Sequence, residues 1–177
     1  YGTKVAIQLT AGLGRVDPIR IEEGGRPIAP SPLPSFWNPS VTTREITIDE
    51  IEHLVKAFEF AAKVVSIAGI DAIELHAHEG YLFDQLQTAL WNKRTDKYGG
   101  DLDSRLRFAI ECIEAIRRGA GPDYPIIYRF GLKHYLPGGR EIEEGLEIAR
   151  KMEAAGVNAL HIDAGCHETW YWPHPTT

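Results

Sequence analysis

The chain has 177 residues, of which 44% are hydrophobic and 25% are charged, and its formal net charge is −6 at pH 7. This length is about that of one domain with a hydrophobic core of its own. The negative charge gives no basis for binding nucleic acid or an anionic membrane, and no apolar run approaches the roughly 20 residues of a spanning helix. Cys112 and Cys166 form no paired motif. We therefore expect a reducing, cytoplasmic setting.

The first predicted element is a buried strand over residues 4–10, which ends at a glycine-containing turn. Gln8 places a polar amide inside this apolar run, either bonded to backbone or facing the amide or imide edge of a ligand. Residues 15–39 then hold more than half of the chain's 11 prolines. That density predicts a long irregular loop with neither helix nor strand. Phe36 and Trp37 fit either a lid or the loop's own small core.

Amphipathic helices and apolar strands alternate over the remainder of the chain. A capping box over residues 47–50 begins the first helix, which ends at Gly69. Further elements are predicted as helices over residues 102–118 and 141–155 and as strands over residues 72–75, 125–131 and 157–163. This alternation indicates an α/β fold with a parallel sheet and right-handed crossovers.

Polar clusters follow every predicted strand. They occupy residues 11–15, 76–81, 129–133 and 166–168. Such a one-sided distribution favours a TIM (β/α)8-type barrel, whose active face is formed by the loops after its strands. Four β/α units are half of that barrel. We therefore expect a piece of a larger barrel, or a half that closes against a partner chain.

Three motifs in this chain resemble the Old Yellow Enzyme family. They are IELHAHEGYL at residues 73–82, NKRTDKYGG at residues 92–100 and SRLRF at residues 104–108. The family consists of FMN-dependent barrel oxidoreductases that reduce activated C=C bonds of enoyl or enone substrates with electrons from NAD(P)H. Shorter matches, IQL at residues 7–9 and YRF at residues 128–130, correspond to the third and fifth barrel strands.

By this resemblance, residues 1–177 are a single partial FMN-binding barrel domain that supplies strands three to six. The remaining strands would come from a longer chain or a partner chain. The resemblance also implies a small-molecule substrate, with no nucleic acid and no membrane as partner.

The chain departs from the commonest family pattern at Glu79, where most members have His or Asn, and His78 stands one place early. A glutamate before Gly-Tyr is similar to the 2,4-dienoyl-CoA reductase and 2-enoate reductase branch. That branch also carries Gly-x-His-Glu after the sixth strand, as residues 165–168 do here. Its members add an iron–sulfur cluster and an FAD domain, which would lie outside this chain.

The resemblance assigns catalytic roles to three side chains. Tyr81 would give a proton to the substrate carbanion, and His167 would supply that proton to Tyr81. Glu79 would hold this pair or contact the flavin, although a salt bridge to Arg94 is an equally open interpretation. Arg94 itself, with Asp96 and Tyr98, is better explained as a structural network at the barrel mouth.

Three further residues are assigned to ligand binding. His76 resembles the family's hydrogen-bond donor to the substrate carbonyl or to the flavin. Gln8 and Arg129 resemble the pair that binds the pyrimidine edge of FMN, where a cation stabilises the anionic reduced flavin. His78 is interpreted as structural.

Two alternatives remain at this stage. His76 and His78 also resemble the paired ligands of barrel metallohydrolases, with Asp163 as a further ligand. A truncated barrel fragment without FMN and without activity is the second alternative. The sequence does not distinguish among enoyl thioesters, steroids and quinones as substrates.

Overall fold

The computed structural model describes residues 2–172. These described residues form six strands and five α-helices, with two short 3₁₀ turns at Gly14–Val16 and His167–Thr169. The strands are β1 (Ala6–Leu9), β2 (Ile28–Ala29), β3 (Arg44–Glu45), β4 (Ala72–Ala77), β5 (Ile126–Gly131) and β6 (Ala159–Asp163). The helices are α1 (Pro18–Glu22), α2 (Ile48–Ile67), α3 (Leu82–Gln87), α4 (Leu102–Ala120) and α5 (Ile142–Ala154).

The main sheet contains four parallel strands in the order β1-β4-β5-β6. Its register aligns Leu9 with Leu75 and Leu75 with Tyr128. Helices α2, α4 and α5 occupy the three connections, as the alternating pattern predicts. The parallel arrangement in chain order is therefore confirmed.

The core lies between one face of this sheet and the helices. Alternate residues of β4, such as Ile73 and Leu75, are fully buried and belong to the same apolar cluster as residues of α2 and α4. The helix caps follow the sequence, because Thr47 and Glu50 form a capping box at α2. The Asp101 side chain accepts a hydrogen bond from the Ser104 backbone at the start of α4.

The other face of the sheet carries polar and charged side chains. Gln8 of β1, Glu74 and His76 of β4 and Arg129 of β5 occupy the positions that alternate with the buried apolar ones. The outer strands are exposed, with burial increasing toward the end of each strand. The carboxyl ends of all four strands meet along one edge of this polar face.

The prediction that residues 15–39 contain neither helix nor strand is wrong in two places. Helix α1 forms because the Asp17 side chain caps it and Pro18, at its first position, needs no hydrogen-bond partner. Strand β2 pairs in parallel with β3 in a small second sheet. Two-residue strands carry no periodicity that a sequence pattern can show.

Two further differences from prediction lie near the site. Strand β4 continues to Ala77, so His76 lies within the strand rather than beyond it. Helix α3 follows directly after Tyr81 and was not predicted, because its six residues are too few for a helical period to repeat. Within residues 2–172, no helix is both long enough and apolar enough to cross a membrane.

Candidate active site

The end of β4 and the turn after it place a cluster of polar groups at the carboxyl edge of the sheet. His76, His78 and Glu79 are buried there, and Tyr81 is half-buried. Glu79 has a backbone φ of 63° and Gly80 one of 74°, so the chain makes two consecutive left-handed residues. This conformation costs a glutamate roughly 1–2 kcal/mol, which indicates that surrounding contacts hold the turn.

Arg129 links the turn to the ends of β5 and β6. Its Nη2 atom lies 2.6 Å from Asp163 Oδ2 and 3.5 Å from Glu79 Oε1. Burial alone would raise the pKa of Asp163, but the hydrogen bond from Arg129 and other contacts hold it below its ordinary value. Glu79 therefore faces Arg129, and its carboxylate is balanced by a cation from the neighbouring strand.

Glu79 does not pair with Arg94, which was one of the two open interpretations. The Arg94 guanidinium instead contacts Asp96, at 2.5 Å, and the backbone oxygens of Pro30 and Ile46. Arg94 thus joins the proline-rich loop to the segment after α3. The structural interpretation of Arg94 and Asp96 is consistent with these contacts.

Tyr81 lies between Glu79 and two histidine rings. Its ring centroid is 5.0 Å from that of His76 and 5.8 Å from that of His167. Burial raises the pKa of Tyr81, and the charge of Glu79 together with a hydrogen bond to its carboxylate raises it further. The hydroxyl is therefore a protonated donor across the neutral pH range.

His167 lies against the same turn from the β6 side. Its Nδ1 atom is 3.2 Å from the backbone oxygen of Glu79, and this contact places a proton on Nδ1, because a carbonyl only accepts. Its ring has edge-on neighbours in Phe36 at 5.1 Å, Trp37 at 5.8 Å and Trp170 at 5.0 Å. The proline-rich loop thus contributes aromatic walls to this site.

His76 and His78 differ in their surroundings. His78 Nε2 lies 3.2 Å from the backbone oxygen of Gly165, so this ring ties the end of β4 to the loop after β6. His76 Nδ1 is buried and has no hydrogen-bond partner among the described residues. Burial lowers the pKa of both imidazoles, and the Arg129 cation acts in the same direction. Both rings are therefore neutral at pH 7.

Gln8 lies on the same polar face but lower in the sheet than the cluster around Glu79. Its Nε2 atom donates to Glu74 at 2.5 Å, and the other Glu74 oxygen lies 2.9 Å from His161 Nδ1. Gln8 thus contacts none of the other assigned site residues directly. The sequence did not predict this row of hydrogen bonds from Gln8 through Glu74 to His161, because Glu74 occupies an ordinary polar position of a strand.

The structure does not support the metallohydrolase alternative. Among residues 2–172, no group of three or more His, Cys, Asp or Glu side chains is arranged to hold a metal ion. His78 is committed to a backbone carbonyl, and Asp163 is committed to Arg129.

Sequence reasoning missed the role of Asp163, which it treated only as a metal ligand. Its position opposite Gly131, at the end of β6, was the available signal, because parallel strands end at one edge. Sequence reasoning also missed the contacts of Asp84, because its partners His134 and Arg140 lie 50 and 56 residues away in the sequence.

Parallel strands in chain order, with titratable groups gathered at their carboxyl ends, define an α/β-barrel type of site. Residues 1–176 match the model of the NADH:flavin oxidoreductase / NADH oxidase family, and the chain belongs to this family. Solved Old Yellow Enzyme homologues are among its structural neighbours, which confirms the resemblance and the TIM-barrel fold class.

Three members of the family show how similar this chain is to known proteins. The chain is 42% identical to cinnamate reductase of Clostridium sporogenes, over 99% of this chain and 28% of that protein. It is 37% identical to 2-naphthoyl-CoA reductase solved with 2-naphthoyl-CoA, with a TM-score of 0.76 over 81% of this chain and 22% of that one. Morphinone reductase in complex with tetrahydroNAD is 30% identical, with a TM-score of 0.77 over 91% of this chain and 49% of that one. The chain thus spans less than half of each.

Proposed function

We propose that this chain is the central, partial FMN-binding barrel domain of an NAD(P)H-dependent oxidoreductase that reduces activated C=C bonds of enoyl or enone substrates. The observation that carries the proposal is the contact of Tyr81 with Glu79 and His167 at the carboxyl edge of a parallel sheet. Membership of the flavin oxidoreductase family supports it. The tetrahydroNAD bound to morphinone reductase supports a nicotinamide donor.

The residues of the polar sheet face fit a flavin. Arg129 Nε and His76 Nδ1 are buried polar atoms without a partner among the described residues, and a bound ring with acceptor atoms would satisfy them. Arg129 would place its cation at the pyrimidine edge, and Gln8 would offer its amide there. When bound, FMN would supply a hydride to the β-carbon of the substrate. An iron–sulfur cluster and FAD would belong to regions outside this chain.

Tyr81 would complete the reaction by protonating the α-carbon. Its O–H bond breaks as the new C–H bond forms, and the resulting phenolate regains a proton from solvent through His167. Glu79 keeps the hydroxyl protonated until the carbanion forms, because its charge disfavours phenolate. Arg129 faces the carboxylates of both Glu79 and Asp163, so its cation offsets part of the negative charge beside Tyr81 before the reaction.

The aromatic walls indicate the kind of substrate. Trp37 is 56% exposed and Trp170 is 45% exposed, yet both rings contact His167. The Trp37 indole donates to the Val16 backbone oxygen at 2.9 Å, which fixes the plane of its exposed face. We infer that this face takes the aryl group of a conjugated acid or thioester. The names of two relatives, cinnamate reductase and 2-naphthoyl-CoA reductase, support an aryl substrate.

Anaerobic spectroscopy on the purified full protein tests this function. We expect flavin absorbance bands that bleach with NADH or NADPH and return when cinnamate or cinnamoyl-CoA is added. A protein that takes up no flavin on reconstitution would favour the inactive fragment. A flavoprotein whose reduced form is reoxidised by oxygen but by no enoyl or enone compound would refute C=C reduction.

A further inference from the structure

The first turn of α3 contains a fully buried carboxylate, that of Asp84. Arg140 Nη2 lies 2.8 Å from its Oδ1 atom and His134 Nε2 lies 3.1 Å from it, while the Gly80 N–H donates to Oδ2 at 2.9 Å. Burial opposes its ionisation, but His134 and Arg140 lower the pKa of Asp84 well below its ordinary value. Desolvating such charges costs several kcal/mol, and apolar side chains would fill the same space more cheaply.

On one side, Asp84 holds the turn that presents the proposed proton donor. Its partner Gly80 lies between Glu79 and Tyr81, which are separated only by this residue. The left-handed conformation of Glu79 requires such an anchor, since the residue would relax to a less strained one otherwise. Asp84 thus fixes the direction of the two side chains that flank Gly80.

On the other side, the contacts of Asp84 reach the loop after β6. The Arg140 backbone N–H donates to His134 Nδ1 at 3.1 Å, so the His134 proton is on Nε2 and points to Asp84. The backbone oxygen of His134 accepts from the Thr169 hydroxyl at 2.7 Å. That hydroxyl accepts in turn from the Cys166 N–H at 2.9 Å. The turn closed in this way carries His167.

We propose that Asp84, His134, Arg140 and Thr169, here called the Asp84 network, are positioning residues that set His167 against the turn of Tyr81. The inference rests on the proposed function, in which Tyr81 and His167 handle the substrate proton. None of the four residues touches the reacting atoms. The network acts through two turns, one at Gly80 and one at Cys166, and joins the loops that follow β4, β5 and β6.

Thr169 is the best place to test the network. Valine has nearly the same shape but neither donates nor accepts, so Thr169→Val removes the side-chain hydrogen bonds to His134 and Cys166 without leaving a buried ion unpaired. Thr169→Ser keeps the hydroxyl and is the matched control. A misplacement of about 1 Å costs on the order of a hundredfold in rate, so we expect reoxidation by cinnamate to slow by about tenfold to a hundredfold. In Thr169→Val, reduction of the flavin by the nicotinamide should keep its wild-type rate. In Thr169→Ser, reoxidation should also keep its wild-type rate.

A second readout separates positioning from stability. In protein labelled with ¹⁵N-histidine, the resonance of His167 is assigned by its loss in His167→Gln, and its chemical shift is compared among the variants at one pH. We expect Thr169→Val to move this resonance and Thr169→Ser to leave it in place. Thr169→Ala, which adds no bulk, replaces the valine variant if that protein fails to fold.

The outcomes distinguish the two levels of inference. If Tyr81→Phe and His167→Ala both reoxidise at the wild-type rate, the proposed function fails and the positioning role fails with it. If they are slow while Thr169→Val changes neither the reoxidation rate nor the chemical shift of His167, only the Asp84 network is refuted. Equal losses in both half-reactions, with a lower melting temperature, would make Thr169 merely structural and would also overturn the proposal.

Discussion

Replacing Tyr81 with phenylalanine removes one oxygen atom and leaves the ring contacts with His76 and His167 in place. The packing of the turn should therefore survive, and the variant loses the proton donor together with its hydrogen bond to Glu79. A positioned general acid contributes on the order of 10²–10⁴ in rate. Burial and Glu79 raise the pKa of Tyr81, which makes it a weaker acid, so we expect the lower part of that range. A loss of about 100- to 1,000-fold corresponds to roughly 3–4 kcal/mol of transition-state stabilisation.

Stopped-flow measurements separate the two half-reactions. In Tyr81→Phe, reduction of the flavin by NADH or NADPH should keep its wild-type rate, because that step needs no proton from the chain. Reoxidation by cinnamate or cinnamoyl-CoA should slow. The solvent deuterium isotope effect on reoxidation should also change, since the proton then comes from another source.

Tyr124 supplies a matched control for this variant. Its hydroxyl donates to the Ile70 backbone oxygen near the amino-terminal ends of β4 and β5, at the edge of the sheet opposite the site. Tyr124→Phe therefore removes a partly buried tyrosine hydroxyl without changing the active-site residues around Tyr81. Wild-type reoxidation in Tyr81→Phe, or an equal slowing in both variants, would refute the assignment of Tyr81 as donor.

Three further predictions concern charge and substrate. Glu79→Gln lowers the pKa of Tyr81, so the fall in reoxidation rate with rising pH should begin at lower pH than in the wild type. Arg129→Ala should weaken FMN binding by about tenfold to a hundredfold, measured by fluorescence quenching, because hydrogen bonds from charged groups contribute roughly 1.5–3 kcal/mol. Trp37→Ala should lower kcat/KM for cinnamate by up to about tenfold while sparing crotonate, since aromatic contacts contribute roughly 0.5–1.5 kcal/mol.

A fourth prediction in the same series concerns stability. Asp84→Asn should lower the free energy of unfolding in urea by about 3–5 kcal/mol at pH 7, because it leaves the buried Arg140 guanidinium without its carboxylate. The pKa of Asp84 is lowered in the folded state, so its stabilisation is present above about pH 4 and is lost as the pH falls toward that lowered pKa. The difference between variant and wild type should therefore shrink in acid.

For three of these variants, a specific outcome would contradict the prediction. Unchanged FMN affinity in Arg129→Ala would remove that residue from the flavin site, and Arg129→Lys tests whether charge alone suffices. Equal losses for cinnamate and crotonate in Trp37→Ala would exclude an aryl-specific contact. A constant stability difference for Asp84→Asn from pH 7 to strongly acid solution would show that folding does not shift the pKa of Asp84.

The main architecture could be predicted because it depends on local periodicity. Strand β4 and helices α2 and α4 have repeating apolar positions, and Thr47 and Asp101 mark the helix starts. The short elements could not be predicted for the same reason. Helix α1 contains five residues and β2 contains two, and neither length allows a period to repeat.

For the site, the order of the strands in the chain predicts which residues lie near one another. His76 lies near the end of β4, and Glu79 and Tyr81 follow that strand. A parallel sheet brings the end of the next strand, with Arg129, beside them. The partners of each group were not predictable, because they depend on side-chain direction after long connections. Glu79 faces Arg129 rather than Arg94, and no spacing rule distinguishes these two arginines.

Buried arginines explain how irregular loops can hold a precise site. Loops leave backbone carbonyls without partners, and an unpaired buried carbonyl is costly. Arg94 donates to Pro30 and Ile46 oxygens, Arg105 to Gln87 and Gly100 oxygens, and Arg140 to the Gly131 oxygen. A guanidinium offers five donors in a rigid fork, so one side chain can satisfy two segments and a carboxylate at once. Lysine lacks this fork, and we therefore expect Arg→Lys changes at these three positions to loosen the loops although the charge is retained.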